Sequence, residues 1–159
     1  MITLEKVNSK NVWSLLKLRV TPEQDSFVAT NTQSIVEAYT TIAAGGVALP
    51  FGIYADGDPV GFVMLGYDTL PDEDNPAVAA GNYTIWRLMI DQEQQGKGYG
   101  REAMRLALDY VRSCPCGPAK LCWLSYEPEN TGAAALYHSL GFVENGEYDD
   151  DEIVAVLEL

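Results

Sequence analysis

The chain holds a single histidine, His138. A Ser-His-Asp or Cys-His arrangement would have to use it, and it lies inside a helical pattern where a surface or packing role competes with a catalytic one. Cysteine is scarce: Cys114, Cys116 and Cys122 are all there are. An odd number of them argues against a disulfide framework. Cys114-Pro115-Cys116 is too tight for the usual zinc spacing and no second ligand pair exists, so no metal site is expected. Basic residues are also few. Ten Lys and Arg stand against 23 Asp and Glu, for a net charge of −13. Such a balance disfavours nucleic acid, whose phosphates reward basic surfaces, and suits a cationic partner or simple solubility. No apolar run approaches the length of a membrane span, and the opening MITLEKVNSK lacks the hydrophobic region of a signal peptide. A soluble, cytoplasmic protein with no membrane partner is expected.

What is present is enough for a packed core. The 159 residues, 47% of them apolar, fit one domain spanning 1–159. There is no internal repeat and no long linker. Residues 2–7 alternate as an edge-like strand. Residues 11–18 read as a short helix and 20–32 as a loop with Pro22. Residues 33–44 are helical in character, with Ile35, Val36, Tyr39 and Ile42 at helical spacing, and Gly45-Gly46 stops them. Residues 51–68 read as a hairpin turning at Asp56-Gly57-Asp58-Pro59. An acidic loop covers 71–82. Residues 83–90 form a buried strand and 99–113 a helix with Ala103, Leu106, Ala107, Tyr110 and Val111 on its apolar side. CPCGP breaks that helix. A strand (121–126), a helix (130–140) ended by Gly141, and two strands around an acidic turn complete the order. The fold class is α/β: layers of helix on a mixed, mostly antiparallel sheet of about seven strands with about four helices.

The most informative stretch is QQGKGYG, residues 94–100, at the junction between the buried strand and the following helix. The first turn of a helix carries unsatisfied N–H groups and a partial positive charge. Glycines there remove the side chains that would keep an anion away, so the junction suits a phosphate or pyrophosphate. Lys97 and Arg101 could add charge. A plain helix start with a flexible loop is the other reading. The motif lies past the middle of the chain with the wrong spacing for a Rossmann fingerprint, and the GK-Ser/Thr ending of a P-loop is absent.

Gln95-x-x-Gly98-x-Gly100 resembles the (Gln/Arg)-x-x-Gly-x-(Gly/Ala) signature of the GCN5-related N-acetyltransferase (GNAT) family, which uses acetyl-coenzyme A. A second segment, Asn130 through Tyr137 to Gly141-Phe142, is similar to the family's Asn, Tyr and Gly-Phe pattern. The element order matches over nearly the whole chain. The resemblance implies the GNAT-type acyl-CoA N-acyltransferase fold and acetyl-CoA as donor, with no metal. It implies that backbone groups of Leu88, Met89 and Ile90 pair with the pantetheine arm like an added strand. The N–H groups of Gly96, Lys97, Gly98, Tyr99, Gly100 and Arg101, following Gln95, would hold the pyrophosphate. Asn130 would touch the coenzyme near the sulfur, and Tyr137 would protonate the departing thiolate. Read from the residues alone, Leu88 and Met89 are equally core, Asn130 is a good N-cap and Tyr137 could simply pack.

The implied chemistry is direct attack of an amine on the thioester. An ammonium has no lone pair, so something must take a proton, and a strand N–H near Leu88 or Met89 could stabilise the oxyanion. Some polyamine acetyltransferases place a glutamate on the central strand. Here that position is Trp86, with Arg87 beside it, and neither is a base. Asp25, Glu37 or a carboxylate of the last turn could act through water. The acceptor end in this family is built from the first two helices, their loop and the final hairpin, which here carry Glu23, Asp25, Glu37, Glu144, Glu147, Asp149, Asp150, Asp151 and Glu152. Residues 22–39 and 86–100 also resemble the subgroup of bacterial spermine/spermidine (diamine) acetyltransferases. That likeness implies a small cationic amine bound near Asp25, Glu37 and Trp86. Other amines (an aminoglycoside, an amino acid, a protein or peptide amine) and a non-catalytic coenzyme A sensor are the alternatives. Homodimers are common among relatives, but nothing in the sequence marks an interface.

Overall fold

A computed structural model describes residues 1–69 and 75–159; the first residues of the expected acidic loop, 71–74, lie outside them. Seven strands form one sheet: β1 (Ile2–Lys6), β2 (Val47–Ala55), β3 (Asp58–Tyr67), β4 (Tyr83–Ile90), β5 (Leu121–Tyr126), β6 (Val143–Asp149) and β7 (Glu152–Glu158). Their order across the sheet is β1-β2-β3-β4-β5-β7-β6. Only β4 and β5 run parallel. The helices are α1 (Val12–Leu15), α2 (Asn31–Ala43), α3 (Tyr99–Arg112) and α4 (Thr131–Ser139). Single 3₁₀ turns stand at Pro22–Gln24, Ala77–Ala79 and Gln92–Gln94. The mixed, mostly antiparallel sheet with four helices is the architecture expected above.

The sheet is buried on both faces. On one face Ala103, Met104, Ala107, Leu108 and Val111 of α3, with Tyr137 of α4, pack against Val63, Leu65, Tyr83, Ile85 and Leu124. On the other, Ala38 of α2 packs with Ala48, Phe62, Met64 and Met89, and Trp86 leans on the same cluster. β4 is therefore apolar on both sides, as a strand covered by helices on both faces must be.

Four expectations need correction. The second helix begins at Asn31 rather than Gln33, because Thr30 Oγ1 accepts from the Gln33 N–H at 3.1 Å and caps it. Its buried face is Asn31, Ser34 and Ala38, whereas Val36, Tyr39 and Ile42 are 57%, 73% and 54% exposed. The small Ala38 lets the helix lie close on the sheet; of the expected stripe Ile35 packs against this cluster, while Val36, Tyr39 and Ile42 face solvent. The first helix proper is only Val12–Leu15, continued to Leu18 by a turn closed through the Leu18 N–H and the Leu15 carbonyl. The hairpin's first strand starts at Val47 and runs through Pro50. Pro50 lies just past the last β1–β2 pair, Lys6 with Phe51. Its carbonyl accepts from the Val7 N–H at 3.0 Å, and no β1 residue pairs with it across the ladder.

Two irregularities of β4 position the site. β4 and β5 pair only at Tyr83 with Cys122 and Thr84 with Trp123, then part. From Ile85 to Ile90 the β4 edge that faces β5 has no strand partner among the described residues. In addition, β3–β4 pairing steps from Leu65–Ile85 to Met64–Arg87, so Trp86 is a bulge residue. A bulge re-aims side chains: Trp86 and Arg87 both reach the α2 side, with the Arg87 guanidinium 5.8 Å from the Trp86 ring centroid.

Candidate active site

A cavity of about 1420 Å³ opens where β4 and β5 part. Leu88, Met89, Ile90, Gln95, Gly96, Gly98, Tyr99 and Gly100 line one end of it, and Asn130 and Tyr137 line its wall. Asp25, Phe27, Trp86, Arg87, Trp123, Ser125, Glu127 and Glu152 line the other end.

At the first end the backbone does the work. Gly96 and Gly98 have φ of 77° and 81°, in the left-handed region that side chains disfavour. A Cβ on either would meet nothing within 4 Å, so the space beside them is open to a ligand. Gly98 is the N-cap of α3 and offers no side chain to its first turn, leaving N–H groups for an anion. Gln95 lines the cavity, but its amide is engaged by protein groups. Its Nε2 donates to Gln24 Oε1 at 2.8 Å and to the Ile90 carbonyl at 3.0 Å, and Gln24 Nε2 returns a bond at 3.2 Å. This clamp ties the glycine turn to the loop at 22–24. Lys97 and Arg101 are not among the lining residues: Lys97 Nζ donates to Gln94 Oε1 at 2.8 Å and Arg101 to Ser139 Oγ at 2.8 Å. Any anion held here meets backbone N–H groups rather than those two charges.

Asn130 caps α4, its Oδ1 accepting from the Ala133 N–H at 3.3 Å, and also faces the cavity. Tyr137 is nine-tenths buried, 5.9 Å from the Tyr126 ring and 6.2 Å from Phe142 between centroids. Burial pushes its hydroxyl up to about 12, and the negative charge of Glu152 adds to that. A group so held keeps its proton at neutral pH and can donate it. His138 is not among the cavity-lining residues; its Nε2 lies 3.2 Å from Tyr126 Oη and 3.7 Å from Glu144. All three cysteines are free thiols, and burial raises that of Cys122 to about 12.

At the other end side chains do the work. Asp25 and Trp86 line the cavity. Glu37 does not; its Oε2 accepts from Arg87 at 2.7 Å, so its charge is already matched. Sequence reasoning left three features unrecognised: the Trp86 bulge, Trp123, and the cluster at the head of β7. There Ser125 Oγ lies 3.1 Å from Glu152 Oε2 and 3.4 Å from Asp149 Oδ2. Burial raises the Glu152 carboxyl above the ordinary range, Asp149 and Glu127 push it further, and Ser125 and Arg87 pull the other way.

An extended ligand can thus pair with the open β4 edge while an anionic group sits at the 96–98 turn. The free edge, the open glycine turn and the uncapped α3 terminus fit the arm and pyrophosphate of coenzyme A. The acetyltransferase (GNAT) family profile matches residues 11–142, and the chain belongs to that family. It is an N-acetyltransferase that takes acetyl-CoA as donor. Two relatives are each 32% identical over 161 residues, covering 99% of both chains: a spermine/spermidine N(1)-acetyltransferase of Bacillus subtilis (strain 168) and a probable spermine N(1)-acetyltransferase of Bacillus subtilis subsp. natto (strain BEST195). Among solved structures, the aminoglycoside acetyltransferase AAC(6')-Ib with coenzyme A superposes with a TM-score of 0.79 at 17% identity, over 99% of this chain and 95% of that one. The spermidine N-acetyltransferase of Vibrio cholerae with CoA and spermine does so at 0.67 and 21%, also over 99% and 95%.

Proposed function

We propose that this enzyme acetylates a primary amine of a small polyamine such as spermidine or spermine. The observation that carries the reading is the charge of the acceptor end. Asp25, Glu127, Asp149, Asp150, Asp151 and Glu152 line it, and the one basic residue among the described lining residues, Arg87, is already paired with Glu37. Carboxylates around low-dielectric walls concentrate a polycation, and Trp86 and Trp123 offer faces to its ammonium and methylene groups. The names of the two Bacillus relatives support the same class.

Bound acetyl-coenzyme A supplies a thioester carbon that an amine can attack. The open edge at Leu88, Met89 and Ile90 holds the pantetheine arm as an added strand, and backbone N–H groups from Gly96 to Arg101 hold the pyrophosphate. An N–H of the same edge steadies negative charge on the carbonyl oxygen. Asn130 orients the thiol end. Tyr137 gives its proton to sulfur as the amine displaces it. The compartment is the cytoplasm, in keeping with three free cysteines that a reducing environment leaves unpaired.

Thiol release with spermidine or spermine, compared between wild type and Tyr137→Phe, tests this. Release that falls about ten-fold or more in the variant, with acetyl-CoA binding unchanged, is the expected result. Equal release in both would remove Tyr137 as the acid. An aminoglycoside is also polycationic. Turnover of an aminoglycoside or a peptide amine but of no polyamine would overturn the substrate assignment, and binding of acetyl-CoA without turnover of any amine would favour a sensor.

A further inference from the structure

We propose that Glu152 is the group that takes the proton from the attacking amine. The inference rests on the acetyl-transfer reading above, though not on which amine is the acceptor. Four observations lead to it.

The strand position beside the reaction holds no acid. β4 offers Trp86 and Arg87 there, and the Arg87 guanidinium already occupies Glu37 at 2.7 Å. Asp25, Asp150 and Asp151 are exposed, where water competes with a substrate for each carboxylate. Glu152 is half-buried at the head of β7. Pairing of Tyr126 with Ile153 and Ser125 with Val154 sets it beside the end of β5, across the split from the open edge of β4. It shares a cavity with Tyr137, and its charge is felt at the Tyr137 hydroxyl.

Its carboxylate is held but not consumed. Ser125 Oγ donates to Oε2 at 3.1 Å, and the same hydroxyl also lies 3.4 Å from Asp149. One proton shared by two carboxylates leaves Oε1 of Glu152 to accept another. The titratable and charged groups around it come from every neighbouring element: Asp149 from β6, Glu127 from just past β5, Arg87 from β4, and the neutral Tyr137 from α4. Burial and the two acids raise the carboxyl against the opposing pull of Ser125 and Arg87, which moves it toward the neutral range where a general base works best.

The protons balance as follows. Glu152 takes one proton from the ammonium, which frees the lone pair. The carbon–nitrogen bond forms and the carbon–sulfur bond breaks. Tyr137 protonates the sulfur, and the second proton leaving nitrogen restores the Tyr137 hydroxyl. Glu152 returns its proton to solvent, so the net reaction releases one.

Thiol release is measured for wild type, Glu152→Gln and Glu152→Asp, with spermidine and with a series of amines of falling basicity, across pH. In Glu152→Gln, kcat at neutral pH should fall about 100-fold or more with acetyl-CoA binding unchanged. The acidic limb of the pH profile should disappear, and activity should instead rise with deprotonation of the amine itself. The deficit should shrink for weakly basic amines that are already neutral, and Glu152→Asp should recover part of the rate. A loss below about three-fold with the acidic limb intact would overturn the role. So would a change confined to KM, or a deficit independent of amine basicity; either would make Glu152 a cation seat instead. If wild type acts only on another amine, the polyamine assignment falls while Glu152 is judged on that amine. If wild type turns over no amine, both fall.

Discussion

At one end of the cavity Gly96 and Gly98 stand at φ of 77° and 81° with no side chain to offer; at the other, Trp86 and Arg87 of β4, Glu152 of β7 and Glu127 just past β5 crowd in. The first end offers a ligand backbone N–H groups and an open strand edge. Such groups are the same in any sequence, so what must be specified is the absence of obstruction, which glycine provides over a few consecutive residues. The second end offers carboxylates and aromatic rings. Their identity matters, and the chain gathers them from positions more than 120 residues apart in number, as from Asp25 to Glu152.

The sharpest way to break the comparison is to place a Cβ where the sheet, not the ligand, needs a glycine. A Cβ on Gly61 would stand 2.5 Å from the Met89 carbonyl oxygen and 2.9 Å from Ile90 Cδ1. Gly61→Ala should cost about 3 kcal/mol, read as a fall in the denaturant midpoint, because β4 must move off β3. Gly98→Ala meets nothing within 4 Å. It should weaken acetyl-CoA binding about ten-fold by calorimetry and cost only about 1 kcal/mol of stability from the left-handed φ. If both substitutions damaged the fold equally, the view of the glycine turn as open ligand space would fail.

At the acceptor end, Glu37→Gln leaves the half-buried Arg87 without its partner. A loss of about 1 kcal/mol is expected, part of it returned in the Glu37→Gln/Arg87→Gln double variant. A double-mutant cycle with no coupling would show that the pair holds nothing in place.

The smallest effect separates function from stability within one residue. The Glu152 carboxyl is raised in the folded state, so folding binds a proton between the unfolded value, near 4.3, and the folded one. Stability contributed by this group is therefore lost as pH rises through that window and is fully present below it. Glu152→Gln should melt slightly higher than wild type at neutral pH, with the difference vanishing below about pH 4. A variant less stable than wild type at neutral pH would show that the Ser125 bond outweighs the repulsion from Asp149 and Glu127.

Much of the fold was readable in advance because its signals are local. The α3 span, the break at CPCGP and the Gly141 stop each lie within one element, although Met104 and Leu108 rather than Leu106 complete the buried face of α3. The misreadings share a different cause. The stripe of Val36, Tyr39 and Ile42 has helical period, yet period alone does not say which face a partner covers, and the small Ala38 chose the opposite one. The hairpin is expected from residue 51, yet its first strand begins at Val47, because pairing with β3 continues beyond the last β1 pair.

The sequence by itself marked the proposed donor end: a glycine turn after a buried strand, and Asn130 and Tyr137 seven residues apart at the start and within α4, because backbone openness and helical spacing are local properties. Only the tertiary structure decided the acceptor end. Pairing of Arg87 with Glu37, the bulge that turns Trp86 and Arg87 to one face, and the meeting of Ser125, Asp149 and Glu152 depend on strand register and on where β4 leaves β5. Those are set by the packing of the whole sheet, and no short stretch of residues contains them.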